Sequence, residues 1–183
     1  MTAIGLACAS AFLFGAMSVG LRMGLDRHPD ARLLLVGKGE LRSALEDLVG
    51  RLGLGERVLF TGYRGADLPA VLDALDVFVL MGAGSDESCR AALEAMAAGR
   101  PVVARRVGAL GEAVRHGDTG LLVEDDRPDS VAAALDTLLA DPDRARAMGE
   151  AGRRRALSAF TPEVHAAAVE AAYRRAIARR TAR

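Results

Sequence analysis

The sequence predicts an α/β domain, a Rossmann-like doubly wound and mainly parallel sheet, preceded by an apolar helix. From His28 onward, short apolar runs alternate with amphipathic segments, which is the pattern of βαβ units. Residues 84–103 run from the end of one apolar segment through a helical segment into the next apolar run. Residues 2–21 hold no charge at all, which predicts the helix in front. Two regions result: an apolar segment over residues 1–27 and an α/β domain over residues 28–183.

The apolar start is rich in Ala, Gly and Ser and ends at Arg22; about 20 such residues suffice to cross a bilayer as a helix. Small residues recur at four-residue spacing, at Ala7, Ala11 and Gly15 and again at Ala16 and Gly20, as in closely packed membrane helices. No basic residue precedes the run and no cleavage site closes it, which argues against a secretory signal peptide. Residues 1–25 resemble one helix of a small drug/metabolite transporter in composition. A membrane span and a buried core helix both fit. The location expected is cytoplasmic, with membrane association through residues 2–21 on the first of these readings.

Within the second region, Ala31–Val36 reads as a buried strand, residues 41–52 as a helix with Leu41, Leu45, Leu48 and Leu52 on one face, and residues 57–60 as a strand. Residues 67–75 then form a helix, Val77–Leu80 a strand, residues 88–98 a helix and residues 101–104 a strand. A turn at residues 117–120 precedes an apolar segment at 121–123. Helices follow over Pro128–Leu139, residues 142–160 and residues 162–179, each opened by proline, and the arginine-rich end is expected to be solvated.

Composition narrows the function. The 24 basic residues balance 24 acidic ones and aromatic residues make up 4%, so neither a long-range field nor stacking platforms favour nucleic acid as a partner. Cys8 and Cys89 stand far apart, as in a reducing compartment without a disulfide framework. His28, His116 and His165 lack metal-ligand spacing, and Arg42 occupies the third glycine place after Gly37 and Gly39, which disfavours a dinucleotide site. No metal and no cofactor are expected. Lys38 fits either a phosphate contact from its glycine-rich turn or a solvated loop charge.

Ligands of open α/β sheets bind at the carboxyl ends of strands, which is where residues 84–86 fall. Ser85 or Asp86 can cap the following helix, leaving N–H groups near Cys89, Arg90 and Ala91 to meet an anion. Asp86 and Glu94 are roughly two turns apart along that helix, so two carboxylates bracket an elongated ligand and accept hydrogen bonds from its hydroxyls. Taken alone, the pair is better explained by an N-cap for Asp86 and a solvated helix position for Glu94.

Residues 86–103 resemble the donor-site motif of glycosyltransferase family 4, in which two acids separated by seven residues precede an EAMAxGxPVV run opened by the second. Here the run is EAMAAGRPVV from Glu94. The segments LLLVGKGE from Leu33, VLFTG from Val58 and GDTGLLV from Gly117 stand in the family's order and spacing. The resemblance implies the C-terminal, donor-binding domain of a GT-B enzyme that transfers a sugar, with retention, from a nucleotide-diphosphate sugar to an acceptor that the sequence does not name. On that basis Glu94 holds the ribose hydroxyls and Asp86 touches the transferred sugar. The amides of Arg90 and Ala91 hold diphosphate, Gly37 belongs to the donor-binding loops, and Gly62 and Tyr63 lie near the base.

Departures from the pattern are visible. Asp86 stands where the family usually has Glu, shortening the reach to the sugar by one methylene, and Glu87 and Cys89 replace glycines. Ala109 and Gly111 replace a Gly and a Pro after Val107, while Gly108 and Glu112 fit. The family's first strand of this domain, with an Arg and a Lys for diphosphate, is expected before Ala31 and is not recognised there; the N-terminal acceptor domain, with its histidine, is also missing. The site is therefore expected to be incomplete in this chain alone. A nucleotide-sugar-binding module without catalysis and a transporter-derived membrane protein are the competing readings.

Overall fold

The computed structural model describes residues 4–8, 27–82 and 86–181, and for residues 4–8, 86–88 and 181 the backbone alone. Six strands form one sheet: β1 (Ile4–Cys8), β2 (Ala31–Val36), β3 (Val58–Gly62), β4 (Val77–Leu80), β5 (Val102–Arg105) and β6 (Gly120–Val123). Their order is β3-β2-β1-β4-β5-β6 and every neighbouring pair is parallel. This is the doubly wound arrangement predicted for residues 28 onward, with its order reversing between β1 and β4.

The expectation of an apolar helix over residues 1–27 is corrected at its start. Ile4–Cys8 is a strand at the centre of the sheet, with Leu6 in register with Leu33 on one side and Val77 on the other. A short continuous apolar run fits a strand or a buried helix, and periodicity cannot tell the two apart. The first strand expected and not recognised before Ala31 is thus supplied by Ile4–Cys8. The rest of the stretch, residues 9–26, lies outside the described residues. None of the described helices is long and apolar enough to cross a membrane.

The helices are α1 (Arg42–Arg51), α2 (Leu68–Asp73), α3 (Asp86–Ala97), α4 (Leu110–Ala113), α5 (Pro128–Leu139), α6 (Pro142–Ala159) and α7 (Pro162–Thr181). Alternation along the strands divides the core in two. Val77, Val79, Val103, Leu121 and Val123 face one layer, where Leu45 of α1 and Val131, Leu135 and Leu138 of α5 cover them. Phe78, Leu80, Val102, Ala104 and Leu122 face the other, under Leu72 of α2, Ala92 and Met96 of α3 and Leu110 of α4. Proline opens α5, α6 and α7 as predicted, and Asp141 caps α6 by accepting the Arg144 N–H at 3.0 Å. The four-residue α4 has no counterpart in the sequence reading. Most of α7 is exposed, including its arginine-rich end.

Helix α3 ends in a left-handed glycine, Gly99, with φ of 74°, and the Arg100 N–H reaches back to the Ala95 carbonyl at 2.9 Å. Helix α6 crosses this terminus at Gly149, where a Cβ would lie 2.0 Å from the Gly99 carbonyl oxygen. Only a residue without a side chain permits that approach. The far end of α3 is therefore clamped by α6, while its first turn faces the carboxyl edge of the sheet.

Candidate functional site

The carboxyl ends of β2 and β3 are tied together. The Gly37 N–H donates to the Gly62 carbonyl at 2.9 Å, and the Thr61 hydroxyl donates to the Leu35 carbonyl at 3.2 Å. Gly62 has φ of 71°, a conformation in which a side chain is strained, and it turns the chain so that Tyr63 stands 69% exposed. The Lys38 ammonium lies 5.6 Å from the centroid of the Tyr63 ring. Gly37, Gly62 and Tyr63, singled out separately in the sequence, thus form one cluster. The Gly37 amide is already bonded to Gly62 within this cluster.

On the other side of the reversal point, β4 leads into α3, which opens at Asp86. Residues 83–85, including the Ser85 expected as a cap, lie outside the described residues, as does the Asp86 side chain. The unbonded N–H groups of an α-helix belong to its first turn, here residues 86–88, and Arg90 and Ala91 fall one turn further along. Cys89, Ala92, Ala95 and Met96 are buried against the sheet, while Arg90 and Glu94 point outward. The Arg90 Nε stands 3.9 Å from the Glu94 carboxylate, an exposed i,i+4 pair of small energetic weight that leaves the carboxylate open to a ligand.

Between the Tyr63 cluster on β3 and α3 after β4 lie three strand spacings, roughly 14 Å. That span suits an extended ligand with an aromatic group at one end and an anionic group at the other. Among the described residues, no group of three or more His, Cys, Asp or Glu side chains is placed to hold a metal ion.

The remaining motif residues lie at the opposite edge. In the turn before β6, the Gly117 N–H donates to the Gly120 carbonyl at 2.8 Å and His116 Nδ1 accepts the Leu122 N–H at 3.0 Å. The Thr119 hydroxyl, in a side chain only 1% exposed, accepts the Arg115 N–H at 2.9 Å. The Arg155 guanidinium of α6 donates to the carbonyls of Glu112 and Ala113. These groups satisfy one another and build the scaffold. Sequence reading missed the pairing of Lys38 with Tyr63; its signal is that each follows a strand end by one or two residues.

Comparison with known proteins agrees with this architecture. The family model described as "Glycosyl transferases group 1" matches residues 11–141. A GDP-mannose-dependent alpha-(1-6)-phosphatidylinositol monomannoside mannosyltransferase from Mycolicibacterium smegmatis is 43% identical over 138 residues, 72% of this chain and 36% of that protein. The chain spans about a third of the length of the curated relatives it matches. The structure of sucrose-phosphate synthase from Thermosynechococcus elongatus superposes with a TM-score of 0.77 at 32% identity, covering 96% of this chain and 46% of that one. Anabaena HepE, in complex with UDP and glucose, shares the fold with a TM-score of 0.79 at 24% identity, covering 94% of this chain and 48% of its own. The family match begins inside the apolar stretch, and the strand Ile4–Cys8 precedes it in the same sheet. Both findings assign that region to the transferase domain, correcting its likeness to a transporter helix. The chain belongs to the glycosyl transferases group 1 family.

Proposed function

We propose that this chain is the donor-binding, C-terminal half of a retaining glycosyltransferase, taking a nucleotide-diphosphate sugar and passing its sugar to an acceptor bound by an N-terminal half. The observation that carries this reading is the placement of α3. It opens beside the point where strand order reverses, with Glu94 exposed on its outer face and the Tyr63 cluster three strands away. A diphosphate at the first turn, with Arg90 and Ala91 just behind it, meets unbonded N–H groups and the positive end of the helix, which stabilises the departing diphosphate. Glu94 accepts hydrogen bonds from the ribose, Asp86 from the transferred sugar, and the Gly37, Gly62 and Tyr63 cluster receives the base. No metal is required for these roles.

The exposed Glu94 carboxylate serves ligand binding without chemistry equally well, so a second reading is a module that holds nucleotide sugar without catalysis, even when acceptors are supplied. One experiment serves both. The full 183-residue chain is titrated by calorimetry with UDP, GDP and their sugar conjugates, beside Glu94→Ala. Saturable binding weakened about 10- to 100-fold in the variant is expected, the loss typical of hydrogen bonds to a charged group. No binding by the folded chain would reject both readings. Turnover by the chain with acceptor alone would reject the second.

A further inference from the structure

We infer that Lys38 selects the nucleobase of the donor, favouring bases that present a carbonyl oxygen where their amino counterparts present an NH2 group. The inference rests on the donor-site reading and names a preference within it. Lys38 is the chain's only lysine. It stands just beyond the carboxyl end of β2, its ammonium 5.6 Å from the Tyr63 ring, and it pairs with no carboxylate among the described residues. Its neighbour Arg42 differs: it lies over Phe60 and donates to Glu46 at 2.8 Å, so its charge is compensated. A cation without a carboxylate partner among the described residues, beside an exposed aromatic ring, offers two complementary features to one flat ligand, a stacking surface and a donor-only group.

An ammonium has three N–H donors and no acceptor. It bonds to O4 of uracil or to O6 of guanine, and it is poorly matched to the N4 amino group of cytosine or the N6 amino group of adenine. The pairs UDP and CDP, and GDP and ADP, keep ring size constant within each pair, so stacking on Tyr63 is closely matched, and the Lys38 variants separate the carbonyl-for-amino change from the other differences between the bases.

The test is calorimetric titration of the full chain with these four diphosphates, for the parent protein, Lys38→Met, Lys38→Arg and Tyr63→Ala. For the parent, UDP should bind about tenfold more tightly than CDP, and GDP than ADP, as expected of one charge-assisted hydrogen bond. Lys38→Met should bring both ratios to within about twofold by weakening UDP and GDP alone, and Lys38→Arg, which keeps a cationic donor, should retain part of them. Tyr63→Ala should weaken all four alike. Ratios unchanged in a Lys38→Met protein that unfolds at the parental temperature would overturn the inference, and so would equal weakening of all four, which would assign Lys38 to the diphosphate. If the parent binds none of the four, the donor-site reading itself fails and this inference with it.

Discussion

Two edges of one sheet carry equally recognisable motifs and treat them in opposite ways. Toward the carboxyl edge Tyr63 stands exposed, as does Glu94 two turns along α3, whereas at the amino edge Thr119 is 1% exposed and its hydroxyl and His116 Nδ1 each accept a backbone N–H of the same turn. The single run from Glu94 to Val103 spans both: its acid belongs to the outer face of α3, and its glycine and proline belong to the junction where α6 crosses. A motif residue can therefore matter to the ligand or to the scaffold, and spacing alone does not separate the two.

Substitutions sharpen the contrast. The largest effect is expected for Gly149→Ala at the amino edge, whose new methyl group would collide with the Gly99 carbonyl oxygen. A loss of about 3 kcal/mol is anticipated, lowering Tm by about 6–12 °C in calorimetry, with nucleotide affinity per folded molecule unchanged. Glu94→Ala should do the reverse, weakening nucleotide-sugar binding as described while changing stability by less than about 0.5 kcal/mol. A destabilisation as large as that of the glycine variant would move Glu94 into the scaffold. Thr119→Val removes the acceptor of the part-buried Arg115 N–H and should cost about 1 kcal/mol in chemical denaturation, again without touching affinity.

The smallest effect concerns Asp125, just beyond β6. The Ser130 hydroxyl, and then the Arg127 N–H, hold its carboxyl below the ordinary value of 3.8. A depressed value in the folded state means that its contribution is in place above the ordinary value and is lost as pH falls below it. Ser130→Ala should raise the Asp125 midpoint toward 3.8 in a carboxyl NMR titration. An unmoved midpoint would exclude the hydroxyl as the cause.

Elements governed by local chemistry were readable in the sequence. Prolines at 128, 142 and 162 announce three helices, and apolar runs locate β2, β4 and β5 to within a residue. The start of the chain was not, because an unbroken apolar run shows no alternation that would separate strand from helix, and its identity as β1 depends on β2 and β4 lying beside it. The same division applies to the site. Gly37, Gly62 and Glu94 were marked by turn chemistry and family spacing, whereas the approach of Lys38 to Tyr63 joins two loops 25 positions apart and exists only once β2 and β3 pair.

The central position of β1 bears on how the molecule is assembled and handled. Its partners begin at Ala31 and Val77, so the sheet cannot be completed until the chain has been made beyond β4, and the contacts that complete it are among the more distant in sequence. A shortened form starting after residue 8 would separate β3-β2 from β4-β5-β6 and leave the inner sides of β2 and β4 as raw edges, ready templates for another chain. For expression and crystallisation, Ile4–Cys8 is the keystone of the domain and belongs in every version of it.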